Sequence, residues 1–512
     1  MKKIFTLFGL LTFTILSCNK DFIELTPPDQ VSGKTFYQTE DQFRQALATA
    51  YVPLRNLLIY DMLDAEMRSD NTYYENFSVN RGDGFVQREN IADFTNSSSN
   101  GYTNGSYFAC YTGISRCNMI TDKIRNSAIS DAAKNEIEGQ VKFLRAFFYF
   151  KLVRYFGGVP LFLKEVKVAD DAFLTRSTVD EVYNQIISDA KDAIGMLQPP
   201  AKFPQTGLAT KGAATMLLAD VYLTQKKYAE AEGLLKTLPA MGYDLNPNYA
   251  DAFSTSNKNS KESVFEVQYN EGLTNGQQSN FIYQFLPRST NTTVITGVRT
   301  DNSASGGYNI PTEDIIKAYE PGDKRLDASI AVAEGSYNQS MIFTFSANKG
   351  IINYIPVAGK VGVPYIKKYL HTHSNANNTN DNWPIYRYAE SLLSLAETLN
   401  EQGKSGEALP YLNKVRNRAG LSTVTITDQT ELRGIIAHER RVELAFENKR
   451  WHDLVRTGQA IQVMTNFGIA LKQRVNYVPA NAFALDQTKL IYPIPNNEIN
   501  INPKLIQNPG YF

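Results

Sequence analysis

Apolar positions along this chain recur mostly with the period of a helix, and they do so in paired segments. Residues 141–156 (VKFLRAFFYFKLVRYF) are strongly apolar, as a helix buried on most of its surface must be. Two further segments align without gaps: Leu218, Ala219, Tyr222, Ala231 and Leu235 in one, Leu395, Ala396, Leu399, Ala408 and Leu412 in the other. In each, two alanines flank a turn, at 225–227 and at 403–406. Small side chains at those positions let two antiparallel helices approach closely.

The spacing is that of a tetratricopeptide (TPR) repeat. A third unit is split by a loop, with 141–156 pairing to 179–197 across 157–177, and a fourth joins 40–58 to 107–124. Such units cannot bury their apolar faces alone, so stacking them builds one continuous core. The pattern therefore predicts a mainly α protein on a TPR-like scaffold of about four helical pairs. Its helices are expected at about 40–58, 107–156, 179–238 and 384–418, in a single domain from residue 18 to 512. Two excursions, 63–105 and 260–363, show little helical periodicity and many Asn, Gly, Ser and Tyr residues. Short alternating pieces such as 263–269 (SVFEVQY) predict strands within the second.

The N-terminus follows another pattern. Lys2 and Lys3 precede an uncharged apolar run at 4–16, with Ser17 directly before Cys18. The run falls short of the ~20 residues that span a bilayer and reads as a secretion signal, residues 1–17. A small residue followed by Cys resembles a lipobox, which predicts cleavage before Cys18, acylation of its thiol and attachment to a membrane by lipid. Of the other cysteines, Cys110 and Cys117 sit on one predicted helix, ~10 Å apart by helical rise. That exceeds disulfide reach and predicts two buried free thiols.

Lys plus Arg and Asp plus Glu number 52 each, and no basic cluster appears, so nucleic acid is not an expected partner. Catalytic motifs are missing. No GxSxG elbow or Walker A loop occurs, and His438-Glu439-Arg440-Arg441-Val442 has Val where a zinc protease needs its second His. Residues 81–84 read as a turn. His371 and His373 supply two ligands in a polar loop, short of a metal site. No enzyme activity, metal or cofactor is expected. The charge-dense run 439–456 places Glu439, Glu443 and Glu447 a helical turn apart, with Arg440 and Arg441 to brace them. It reads as a structural ion-pair network, and Trp451 as a packing residue.

At this run the chain resembles the SusD/RagB family of outer-membrane nutrient-binding lipoproteins of Bacteroidota. The family's C-terminal signatures read like ERRVELAFENKRWHDLVR (439–456) and YPIPNNEININPKLIQNPGY (492–511), within a region spanning 431–512. The segment with Arg387, Ala389, Glu390, Leu393 and Glu397, read as a helix from Ile385, also matches. So do Arg145-Ala146 through Gly157-Gly158-Val159-Pro160, and Tyr111, Ile114, Arg116 and Asn118. Asn19-Lys20-Asp21 is similar to the lysine–acidic tags that direct such lipoproteins to the outer leaflet. The resemblance implies a non-catalytic, surface-exposed binding protein that captures glycan for a SusC-like TonB-dependent transporter. Peptide capture, as in the RagB branch, is the alternative, and a secreted hydrolase a weaker third.

Ligand-contacting loops diverge within the family, so the site is read from chemistry. Sugar rings stack apolar faces on aromatics, while their hydroxyls need amide, carboxylate or Arg partners. Tyr73, Tyr74, Asn76, Phe77, Arg81, Asp83, Tyr102 and Asn104 in the first excursion supply both. So do Tyr283, Arg288, Tyr308 and Asn309 in the second, and Trp383 beside Asn382. The expectation is a ligand held between 63–105 and 260–308, stacked on exposed Tyr73, Tyr74 and Tyr308.

Overall fold

The computed structural model of the chain describes residues 36–77, 81–272 and 277–511. The leader 1–17 and Cys18 lie outside the described residues. Helix α1 (Glu40–Asp61) starts at a capping box, in which the Thr39 hydroxyl accepts from Gln42 N and the Gln42 side chain accepts from Thr39 N. This satisfies two of the donors that a helix start leaves open. The helix runs on into a wider π turn (Met62–Met67), then β1 (Thr72–Tyr73) and α2 (Asp83–Ala92). The scaffold continues with α3 (Gly101–Ile124), α4 (Asp131–Phe156) and α5 (Val179–Met196). The hairpin of α6 (Lys211–Thr224) and α7 (Tyr228–Leu235) follows.

The second excursion carries β2 (Ser263–Val267), β3 (Ile310–Pro311), β4 (Ile330–Tyr337), β5 (Phe343–Gly350) and β6 (Val361–Ile366) with short helical turns between them. Next come β7 (Trp383–Arg387), α8 (Tyr388–Glu401) and α9 (Ser405–Ala419). The C-terminal part holds α10 (Gln429–Glu443), α11 (Arg450–Arg456) and α12 (Ala460–Arg474).

Each expected helical pair packs together: α1 on α3, α4 on α5, α6 on α7 and α8 on α9. The apolar run in α4 is the centre of the core, with Phe143, Leu144, Phe147, Phe148, Phe150 and Leu152 all buried. Each such side chain contributes about 1.5–3 kcal/mol by leaving water. Arg145 is buried among them because it is fully paired: Nε and Nη2 donate to Asp189 on α5, both at 2.8 Å, and Nη1 donates to Asn118 on α3 at 2.8 Å. One guanidinium thereby ties three helices. Cys110 and Cys117 are buried and free in α3, and burial pushes both thiols up, Cys117 to about 12.

Three small sheets organise the excursions. β1 pairs antiparallel with β3, Tyr73 opposite Ile310, which joins the two excursions. β2 pairs with β7, and β4 lies between β5 and β6. A second, smaller core of Tyr283, Leu286, Phe343, Phe345 and Tyr365 underlies that last sheet. Among the described residues, no helix is long and apolar enough to cross a membrane.

The structure departs from the periodicity in four places. The helices expected at 107–124 and 141–156 both begin earlier, at Gly101 and Asp131. Residues 384–387, read as the start of a helix, belong to β7, because β2 offers an edge for them to pair with. The first excursion contains α2, whose weak amphipathicity hides it, and Gly82 of the supposed turn is its N-cap. Finally, α10 stops at Glu443, and Glu447 lies beyond it in a turn where Phe446 and Asn448 have φ of 66° and 60°. Glu443 and Glu447 are therefore not on one helical face.

Candidate ligand-binding surface

The ends of the excursions meet over the start of α3. Asn100 caps that helix, its Oδ1 accepting from Tyr102 N at 3.0 Å and Thr103 N at 3.4 Å. Its Nδ2 donates to the Gln87 carbonyl at 2.7 Å, and Gly101 N donates to Gln87 Oε1 at 2.6 Å. These bonds clamp α2 against α3 and bring Arg88 to Tyr102, whose hydroxyl accepts from Nε at 2.5 Å. The same guanidinium lies 4.6 Å from the Tyr308 ring centre, within cation–π range.

Phe85, one turn earlier on α2, stacks on Tyr308 at 6.5 Å and packs on Phe77 at 5.2 Å. Beneath them Arg288 lies 3.7 Å from the Phe77 ring centre. From α1, Tyr60 adds an edge contact to Tyr102 at 6.4 Å. Two glycines permit this density. A Cβ on Gly105 would fall 2.3 Å from the Tyr60 ring, and one on Gly307, where φ is +80°, would meet Phe77 and Glu75. Tyr60, Phe85, Arg88 and Tyr102 are half-buried and reach solvent, with exposed Arg81 and Asp83 at the rim.

The electrostatics around this cluster follow from burial. Glu89 sits behind Arg81, which pairs with it, and burial pushes its carboxyl up to about 7 against that pull. Asp93 accepts from the Tyr73 and Tyr74 hydroxyls, yet burial still raises it to about 6. Glu75 accepts from Tyr337 and from Arg288 N and is raised to about 7 for the same reason.

The structure brings Phe77, Tyr102, Arg288 and Tyr308 into one cluster beside Arg81 and Asp83. The expected exposure of the stacking residues is corrected, however. Tyr73 and Tyr74 are 5% and 4% exposed and stack on each other at 4.2 Å, facing Tyr477. Tyr308 and Phe77 are buried floor residues at 2% and 1%. Tyr283 is buried and bonds His373 Nε2 at 2.6 Å, and Trp383 is buried against the Tyr369 ring at 4.7 Å. These hydrophobic bodies fill cores once the excursions fold onto the scaffold.

Asn104 is buried and donates to the Ser98 carbonyl. Asn309, at φ 55°, bridges the Met62 carbonyl and Thr72. Asn76 is half-buried beside the cluster. The histidine loop is also more ordered than a solvated loop: His373 is buried, and His371 Nδ1 meets Asp381 at 2.5 Å. Tyr60, Phe85 and Arg88 escaped sequence reasoning. The Phe85–Arg88 spacing of three was the available signal, on a helix read as part of an irregular excursion.

The glutamates of the charge-dense run are buried in ion pairs. Glu443 is buried between Arg325, Arg387 and Arg418, and Glu447 between Arg387 and Lys368. These partners come from distant segments, whereas Arg440 pairs with Asp453 and Arg441 with Asp70. Trp451 is buried, with Arg68 5.1 Å from its ring centre.

A family model described as SusD family matches residues 241–511. The chain belongs to the SusD family. A second model, described as starch-binding associating with outer membrane, matches residues 21–223. SusD-like protein P2 of Formosa agariphila is 27% identical over the full length of both chains. Starch-binding protein SusD of Bacteroides thetaiotaomicron is 23% identical over 100% of this chain and 99% of its own. Among solved structures, a laminarin binding SusD-like protein superposes with a TM-score of 0.73 at 24% identity, over 93% of this chain and all of that one. Surface glycan-binding protein A from Bacteroides thetaiotaomicron, in complex with laminarihexaose, gives 0.71 at 23% identity, over 91% of this chain and 99% of that one. These two likenesses establish the SusD-like fold: a helical-pair scaffold with long excursions.

Proposed function

We propose that this SusD-family protein is a non-catalytic cell-surface receptor that captures glycan and passes it to a SusC-like TonB-dependent transporter. In this reading the chain is exported, acylated at Cys18 and held at the outer membrane by that lipid. The observation that carries the reading is the half-buried platform of Tyr60, Phe85 and Tyr102 around Arg88. Fixed aromatic faces suit the apolar faces of sugar rings, and Arg81, Arg88 and Asp83 offer polar partners for hydroxyls. The names of the starch-binding and laminarin-binding relatives favour saccharide over peptide. No nucleophile, metal or cofactor motif in the sequence offers a route to cleavage.

The test is calorimetric titration of the soluble mature protein with neutral oligosaccharides and with peptides, repeated on Tyr102→Ala and Phe85→Ala after their melting has been checked. Truncating an anchoring aromatic typically costs ~2 kcal/mol or more, over tenfold in affinity. Saccharide binding that weakens by that factor supports the reading. Peptide binding without saccharide binding, or wild-type affinity in both variants, overturns it.

A further inference from the structure

The ends of the α6–α7 hairpin, α8, α10 and α11 surround a groove of about 440 Å³. Its floor is apolar, from Leu223, Leu454 and Val463, with the half-buried ring of Tyr228 beside it. The carboxylates on its wall are already taken. Arg456 holds Glu397 at 2.8 Å, Arg433 holds Glu401 at 2.5 Å and Arg440 holds Asp453 at 3.1 Å.

The cations that remain are in surplus. Lys226 is exposed at the rim, and its ammonium has no partner among the described residues. Arg441 and Arg450 share a single carboxylate, Asp70. Arg450 grips it with Nε at 2.8 Å and Nη2 at 2.9 Å, and Arg441 Nη2 reaches the second oxygen at 3.0 Å. Two guanidiniums on one carboxylate leave one positive charge over, on side chains only 15% exposed, where water screens it poorly. Asp314, which also acts on Arg441, is engaged with Arg474 at 3.4 Å. Among the described residues, Nη1 of both arginines is unused. His438, one turn before Arg441 on α10, lines the same wall. Burial, with Arg441 and Arg325 nearby, holds its imidazole below the ordinary range against the pull of Glu439 and Glu320.

We infer that this groove is an oxyanion site, in which Lys226, Arg441, Arg450 and His438 take the sulfate ester or carboxylate of an acidic sugar. That the anion is carried on a sugar rests on the glycan reading above; the anion site itself rests on the unused donors and the surplus charge.

The chain has four histidines, so a ¹³C-histidine spectrum can follow the His438 ring. The mature protein is titrated with sodium sulfate against sodium chloride at equal ionic strength. It is then titrated with a sulfated disaccharide, a uronate disaccharide, their neutral counterpart and an acidic peptide. The expected result is a saturable His438 shift with sulfate and both acidic disaccharides, and none with the neutral one. Lys226→Gln, which removes an ammonium without structural partners among the described residues, should weaken this up to about fivefold, the value of one exposed ion pair. Arg450→Lys, which keeps the charge and loses the planar fork, should weaken it less.

Sulfate acting no differently from chloride, unchanged affinity in Lys226→Gln, or binding of the acidic peptide but of neither acidic disaccharide would each overturn the inference. If sulfate fails while neutral glycan still binds at Tyr102, the anion site alone is wrong. If sulfate and the acidic disaccharides bind while no neutral glycan does, the anion site stands and the Tyr102 platform reading falls.

Discussion

Arg387 Nη1 donates to Glu443 Oε1 at 2.8 Å, and its Nη2 donates to the Glu443 carbonyl at 2.9 Å. One guanidinium from the end of β7 thus closes both the side chain and the last turn of α10. Arg418 at 2.6 Å and Arg325 at 3.1 Å complete the shell, and all four side chains are essentially out of water. Such a cluster persists because every charge in it is matched, and removing one member exposes the cost of the rest.

Glu443→Ala is therefore expected to destabilise the protein by roughly 3–5 kcal/mol, since three buried guanidiniums lose a shared carboxylate. Urea denaturation at neutral pH measures this, and titration of the folded variant should give wild-type ligand affinity. An unchanged midpoint with lost binding would show the cluster to be a ligand site. The arginines hold the Glu443 carboxyl down, to about 2, below its unfolded value of about 4.3. Its contribution is thus present above that unfolded value and is lost as pH falls towards 2. Glu443→Gln should flatten the stability profile over that acid range.

Asp64 has the opposite sign. It is fully buried near Asp61, Oδ2 accepts from Ser106, and Oδ1 has no hydrogen-bond partner among the described residues. Burial pushes its carboxyl up to about 7. The fold thus favours the protonated form, and that advantage, present below the unfolded value of about 3.9, is lost as pH rises through 7. Asp64→Asn should remove this dependence, whose slope between those two values is on the order of 1.4 kcal/mol per pH unit. Denaturation of both proteins at pH 5 and pH 8 decides it: a stability difference that is the same at the two pH values would rule the assignment out.

Gly105→Ala places a methyl group where the Tyr60 ring stands. Overpacking of this kind costs about 1–3 kcal/mol, and relief requires α1 and α3 to separate or Tyr60 to swing from Tyr102. Melting should fall and saccharide affinity should weaken together. Wild-type values for both would mean that the close approach is unimportant.

Cys18→Ala should abolish acylation and release the protein from the membrane fraction. Palmitate labelling that persists in this variant would place the anchor elsewhere.

Much of the scaffold was legible because its signals are local. The alanines of α6 with α7 and of α8 with α9 mark helix crossings at fixed spacing, and the apolar run of α4 admits only a buried helix. Harder to read were elements decided by partners far along the chain. Residues 384–387 carry a pattern compatible with helix, and only pairing with β2 makes them part of a strand. The same holds for the site. Tyr73, Tyr74, Tyr283, Tyr308 and Trp383 are aromatic residues in polar surroundings, which by sequence looks like a binding loop. Their exposure depends on what packs against them, and Tyr477, His373 and Tyr369 lie in segments that no spacing rule connects to theirs.

The sequence by itself determined the family, the helical-pair architecture and the two excursions. These follow from periodicity, side-chain volume and motif, which are properties of neighbours along the chain. Tertiary structure alone decided which aromatics face solvent, that Arg88 joins Phe85, Tyr102 and Tyr308, and that Arg441 and Arg450 share Asp70. Each of those is a contact between segments brought together by folding, and its energy depends on burial and distance in three dimensions.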